Sequence, residues 1–128
     1  MAVSHSNCLF CHLPSERIVF DASHHWVIRD AYPVTTGHTL IISKRHAETW
    51  FDLTDEEQAE LNHLLCDQRE QLLKQDASIT GFNIGMNCGE AAGQTVMHCH
   101  IHLIPRFQGD SKNTRGGVRG VTPEKQTY

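Results

Sequence analysis

Apolar positions along the chain repeat with two different periods, and the switch between them separates strands from helix. Short β-branched and apolar runs come first. Ile18 to Phe20 is a candidate first strand, followed by His25 to Ala31 (HWVIRDA) and His38 to Ser43 (HTLIIS). Pro33 and Gly37 punctuate the connection between the last two. The period then changes. Leu61, Leu64, Leu65, Leu72 and Leu73 recur at helical spacing and form one apolar stripe. Thr54 with Glu57 three residues on forms a capping box, and Asp55, Glu56 and Glu57 put negative charge at the positive end of the helix dipole. This predicts a long helix from Thr54 to about Gln75, with a short helical turn before it around Ala47 to Phe51. Alternation returns at Phe82, Ile84 and Met86, then over Val96 to Ile104, where Pro105 is expected to close the final core strand. Strands, helix, strands, without a βαβ alternation, predict an α+β domain on a mainly antiparallel five-stranded sheet with one long and one short helix.

Composition narrows the function classes. The chain has 128 residues, enough for one compact domain with a real core. No repeat or linker divides it, so one domain is expected over residues 1–128, with 107–128 as a polar, glycine-rich C-terminal tail. A net charge of −4 argues against a nucleic-acid partner, which wants a basic surface. No apolar run approaches the ~20 residues that span a bilayer, so no membrane partner is expected. Met1 to Asn7 lacks the charged start and apolar stretch of a signal peptide, which makes the cytoplasm the default location.

The ten histidines are the outlier, because three fall within five residues. On a strand, His98, His100 and His102 share one face at intervals of roughly 6.6 Å, while Cys99, Ile101 and Leu103 face the core. A purely polar sheet face or a metal site would use the histidines but leaves the preceding loop unexplained. That loop, Asn87 to Thr95 (NCGEAAGQT), brings glycines whose backbone can approach and cradle an anion, and Thr95 adds a hydroxyl. Phosphate is the natural ligand. Neutral imidazole is a competent nucleophile toward phosphorus once the phosphate is held.

Cys8 and Cys11 stand at a spacing that suits one edge of a tetrahedral zinc site. A redox dithiol is the rival reading, although its usual βαβ context is missing, and two unrelated thiols are the plain alternative. Spacing alone does not choose further ligands among so many histidines.

His98-Cys99-His100-Ile101-His102-Leu103-Ile104, led by Gly93-Gln94-Thr95-Val96, resembles the signature of the histidine-triad (HIT) family. Gly37-His38-Thr39-Leu40-Ile41-Ile42 and Lys44-Arg45-His46 look like further family segments, and the resemblance covers about residues 7 to 106. It implies the histidine-triad fold and a hydrolase of the bacterial, zinc-containing branch. Such an enzyme cleaves a nucleoside phosphoramidate or dinucleoside polyphosphate at the α-phosphate through a nucleotidyl-histidine. The resemblance makes His100 the nucleophile, with His102 by the phosphate and His38 on the neighbouring strand. It places Asp30 at the ribose hydroxyls, Asn87, Gly93 and Thr95 at phosphate and bridging atoms, and Leu9, Phe10 and Ile28 at the base. It also implies a structural zinc on Cys8, Cys11, His46 and His98, a purine nucleotide substrate and a homodimer. In the related uridylyltransferases the third triad position is usually glutamine, so His102 favours water as acceptor over a transferase reaction. A low-turnover nucleotide-binding or scaffolding module is the alternative from another class. The tail segment around Thr114-Arg115-Gly116-Gly117-Val118-Arg119-Gly120-Val121 resembles a bacterial subset of the family, and its Arg115, Arg119 and Lys125 are candidates to reach a polyphosphate or a leaving group.

Overall fold

A computed structural model describes residues 7–128, so the targeting inference on the N-terminus falls almost wholly outside the described residues. Five strands, β1 (Ile18–Asp21), β2 (His25–Arg29), β3 (Thr39–Ser43), β4 (Ile79–Gly85) and β5 (His100–Phe107), form one antiparallel sheet in the order β1-β2-β3-β5-β4. One helix, α1 (Asp55–Gln75), covers one face. No described helix is long and apolar enough to cross a membrane.

The pleat divides the labour between the two faces. Val27, Ile41, Cys99 and Ile101 point toward α1 and meet Leu61 and Leu64. Farther along, Leu103 and Ile79 meet Leu72. Ile28, Leu40 and Ile42 occupy the opposite face under Phe10. The central β3 is buried along its whole length, as expected for a strand packed on both faces. Successive residues of β5 alternate between buried and half-buried up to Pro105, which leaves the triad face open.

Helix α1 begins where the capping box places it. The Glu57 amide donates to Thr54 Oγ1 at 3.1 Å, and Glu57 Oε1 accepts from the Thr54 amide at 2.8 Å. The buried stripe of α1 includes two polar residues besides its leucines. Gln68 accepts from Arg29 Nη1 at 2.8 Å. Glu57 takes two bonds from Arg45, at 2.8 and 3.2 Å, which ties the loop after β3 to the start of the helix.

Two boundaries differ from the sequence reading. The turn expected at Ala47 to Phe51 is a single 3-10 turn at Trp50–Asp52, closed by a Thr49–Asp52 capping pair. The last strand starts at His100, not Val96, and runs through Pro105 to Phe107. Residues before His100 spend their backbone elsewhere: the Cys99 amide donates to Ala47 O at 2.7 Å and the Ser43 amide to Cys99 O at 3.2 Å. Pro105 is tolerated because β3 begins only at Thr39, opposite Leu103, so no ladder on that side needs its missing N–H. The Pro105 carbonyl instead accepts from Thr35 Oγ1 at 2.5 Å.

Burial pushes the Glu57 carboxyl upward, but the Arg45 hydrogen bonds and the Thr54 amide outweigh it and hold the group at about 2. A depressed carboxylate stabilises the fold above its ordinary value of 4.5 and loses that contribution as pH falls toward 2. Glu57→Gln should therefore lower the melting temperature at pH 7 and flatten its fall between pH 4.5 and 2, measured by thermal melts across that range. A variant curve parallel to wild type would reject the assignment.

Candidate active site

The triad face of β5 meets β3, β2 and the Asn87–Thr95 loop. His100 Nδ1 lies 2.7 Å from the backbone carbonyl of His98. A carbonyl only accepts, so Nδ1 carries the proton and Nε2 keeps its lone pair. The edge of Phe10 packs on the ring with centroids 5.0 Å apart, which limits its rotation.

A second chain of contacts sets the other two rings. The Val34 amide donates to His38 Nδ1 at 3.0 Å, so the His38 proton sits on Nε2. That nitrogen lies 2.9 Å from His102 Nδ1 and 3.4 Å from Asp30 Oδ2. His102 Nδ1 is thus an acceptor, which places the His102 proton on Nε2. Burial lowers the His102 pKa first, then the neighbouring His100 and His38, bringing it down to about 4. Burial also lowers His38, partly opposed by Asp30. Neutral His102 offers an N–H donor beside the His100 ring, 5.5 Å away between centroids, a suitable partner for an anionic oxygen.

The loop that leads into the triad is built on glycines. Gly89 and Gly93 both have positive φ, 96° and 93°, where a side chain is strained. Gln94, buried under the loop, staples it: its Oε1 accepts from the Gly89 amide at 2.7 Å and its Nε2 donates to Glu48 O at 2.7 Å. Asn87 and Thr95 stay exposed on it, and Asn87 Nδ2 reaches Gly93 O at 3.5 Å. Asp30 lies at the end of β2, where one oxygen faces His38 and the other accepts from the Tyr32 amide at 2.9 Å. Phe10 and Ile28 are both covered, at 6% and 1% exposure, and form the floor of this face, while Leu9 is exposed at 60%. The sequence reading missed the Gln94 staple and the Val34 amide on His38. A buried glutamine between glycine and threonine is the one clue it carried.

Cys8, Cys11, His46 and His98 converge next to the triad, with one ligand atom from each lying within 4.8 Å of the others. Sulfur–nitrogen distances are 3.3 Å for Cys8–His98, 3.1 Å for Cys11–His46 and 3.5 Å for Cys11–His98. A tetrahedron with zinc-like bond lengths has sulfur–nitrogen edges of about 3.5 Å, so the donor set fits. The 3-10 turn Leu9–His12 brings the two thiols to one side, because residues three apart eclipse in that geometry. His98 Nε2 donates to Ser43 O at 2.6 Å, which leaves Nδ1 facing the thiols with its lone pair.

His100 and His102 of β5, with His38 just before β3, form a histidine cluster close to the glycine-turned loop. The model of the HIT domain matches residues 14–109, and the chain belongs to that family of nucleotide-binding hydrolases and transferases. A HIT family protein from Bacillus anthracis shares 36% identity and superposes with a TM-score of 0.74 over 82% of this chain and 77% of its own. A zinc-bound histidine triad family protein from Mycobacterium smegmatis is 33% identical, with a TM-score of 0.70 over 84% of this chain and 80% of its own. An AP-4-A phosphorylase of Mycobacterium tuberculosis is 33% identical over 67% of this chain and 44% of that protein.

The tautomers are directly measurable. Long-range proton–nitrogen spectra at pH 7 should show His100 as the Nδ1–H form and both His38 and His102 as Nε2–H forms. The His102 ring should stay neutral until about pH 4. A histidine whose folded pKa is depressed is protonated first in the unfolded chain, so its contribution declines as pH falls from 6.5 toward 4. An Nε2–H tautomer at His100, or His102 titrating near 6.5, would reject this arrangement.

Proposed function

We propose that the protein cleaves a purine nucleoside phosphate derivative at its α-phosphate through a nucleotidyl intermediate on His100. The observation that carries this reading is the His98 carbonyl on His100 Nδ1 at 2.7 Å, which leaves Nε2 as the lone pair on the open face. In the first step the Nε2–P bond forms and the bond from phosphorus to the leaving group breaks. The leaving atom takes the electron pair and a proton from solvent. The ring now carries a positive charge that the His98 carbonyl stabilises through Nδ1–H. Water then bonds to phosphorus, the Nε2–P pair returns to His100, and the water's proton goes to solvent. His102 donates from Nε2 to a phosphate oxygen, and His38 fixes His102. The loop residues Asn87, Gly93 and Thr95 hold the phosphate, Asp30 the ribose, and Phe10 and Ile28 support the base.

Hydrolysis is the preferred course, because His102 occupies the third triad position. Transfer of the nucleotide to phosphate is the second reading, and it is favoured by the likeness to the AP-4-A phosphorylase. Adenosine phosphoramidate and diadenosine tetraphosphate, each incubated with and without phosphate, separate the two. Release of AMP regardless of phosphate supports hydrolysis, whereas phosphate-dependent ADP supports transfer. The reading also includes a cytoplasmic homodimer in which two sheets join, with β1 and β4 as the free edges.

His100→Asn should lower turnover by orders of magnitude while AMP binding persists, since a whole reaction path is removed. Mass spectrometry should find the nucleotidyl adduct on wild-type His100. An adduct on His98 or His102 overturns the assignment.

The fitting donor set and the zinc-bound relative support one structural zinc on Cys8, Cys11, His46 and His98. With four protein ligands such a metal supplies a cross-link and no position for water. The chain's own part is to anchor residues 8–12 to the triad strand. Elemental analysis of untagged protein should return about one zinc per chain, and Cys8→Ser should lower both the zinc content and the melting temperature. Metal-free protein of unchanged stability rejects the metal and leaves the triad chemistry standing.

A further inference from the structure

Gln94 is 4% exposed, and its carboxamide is committed to backbone groups. Its Oε1 accepts from the Gly89 amide at 2.7 Å, while Nε2 donates to Glu48 O at 2.7 Å and to Val96 O at 3.1 Å. The Gln94 amide also donates to Gly89 O at 3.1 Å, so Gly89 and Gln94 are bonded in both directions.

These partners come from three separate places. Gly89 opens the glycine turn of the loop, just before the 3-10 turn Glu90–Ala92. Glu48 follows Ala47, whose carbonyl accepts from the Cys99 amide at 2.7 Å. Val96 O also accepts from the His98 amide at 2.8 Å, and His98 O in turn holds His100 Nδ1 at 2.7 Å. The path from the loop to the His100 ring thus runs through one carboxamide and two backbone carbonyls. Other bonds of the loop are internal: Ala92 N to Gly89 O at 3.1 Å, Gly93 N to Glu90 O at 2.9 Å and Asn87 Nδ2 to Gly93 O at 3.5 Å. They shape the turn without setting where it stands against β5.

Position 94 requires one acceptor toward Gly89 and two donors toward carbonyls, all in one planar group, and a carboxamide supplies them. A carboxylate would set a charge against Glu48 O and Val96 O. A methionine would fill the volume and leave the Gly89 amide and the Glu48 carbonyl without this partner. Residues 90–93 are exposed, so the loop can answer such a loss by shifting toward water with little effect on the sheet. For a phosphate held there as proposed, that shift moves phosphorus relative to His100 Nε2. An offset of about an ångström lowers the rate by about a hundredfold.

We infer that Gln94 is a positioning residue, whose carboxamide fixes the distance between the phosphate loop and the His100 ring. This inference rests on the proposed attack by His100 and adds the part that sets where the phosphorus stands. Gln94 touches no reacting atom and acts through Gly89, Val96 and His98.

Gln94→Met and Gln94→Glu separate positioning from packing. The readout is the rate of nucleotidyl-adduct formation on His100 in a single turnover with saturating adenosine 5′-phosphoramidate, each variant divided by wild type at the same pH. Gln94→Met should be slower by about a hundredfold between about pH 5.5 and 8, with AMP affinity changed less than about fivefold. Gln94→Glu should be as slow at pH 8. Burial and the two facing carbonyls favour its protonated carboxyl, which accepts from Gly89 and donates to Glu48 O as the carboxamide does. Its ratio should therefore climb by at least about tenfold as pH falls to about 5.5. Equal, pH-independent losses in both variants reduce Gln94 to packing and overturn the inference, as do ratios near one. Wild-type protein that never labels His100 overturns the reaction and the positioning role with it. Should the variants fail to fold, hydrogen exchange on the wild type decides. The Gly89 amide should exchange at least about a hundredfold more slowly than in an unstructured chain, and exchange at the unstructured rate overturns the inference.

Discussion

The candidate active site hangs on a single backbone carbonyl. The oxygen of His98 takes the Nδ1 proton of His100 and thereby leaves Nε2 as the nitrogen with a lone pair. The same residue sends its ring the other way, into the group formed with Cys8, Cys11 and His46. One residue thus connects the N-terminal turn, the end of β3 through Ser43, and the ring of His100. Moving His98 would disturb all three at once. Anchoring of the loop and reactivity of the triad are therefore mechanically coupled, although the two sets of side chains do different work.

The second half of the triad depends on a backbone group too. The Val34 amide sets the tautomer of His38, and His38 sets His102. Asp30 approaches His38, yet burial dominates, and both rings favour the neutral form. The site therefore supplies hydrogen-bond donors more than fixed positive charge. That matters for the proposed reaction, in which a phosphoryl group arrives, bonds and leaves. Under the proposed attack by His100, a permanent cation beside that ring would raise the cost of a charged intermediate on it. A neutral donor does not carry that penalty.

Much of this was legible in the sequence because the signals were local. The capping box at Thr54 and Glu57 located the start of α1, and the leucine period carried it to Gln75. Two-residue alternation put Cys99 and Ile101 in the core beneath α1 and the histidines on the other face. Features set by contacts distant in sequence were not legible. Pro105 looked like a terminator, yet its position in β5 depends on where β3 happens to begin. Val96 to Cys99 read as strand by alternation, yet the backbone of Cys99 is drawn to Ala47 and Ser43. The direction in which Arg115 and Arg119 face was equally hidden, since it depends on Tyr128 at the end of the chain.

The tail is held to the rest of the molecule differently from the strands. The sheet and the triad are held by strand pairing and by the two cores, and those contacts leave the β4 side of His102 open. Residues beyond β5 make few contacts with the sheet and bind chiefly to themselves, through Asn113, Gln126 and the Arg–Tyr stack. A segment stabilised internally can change its outward residues without disturbing the sheet beneath. Its arginines serve the internal stack, so Val118 and Val121 are what remain to line the groove beside His102. The sheet and the tail are thereby held by separate sets of contacts: the first by strand pairing and the cores on its two faces, the second by its own hydrogen bonds and the Arg–Tyr stack.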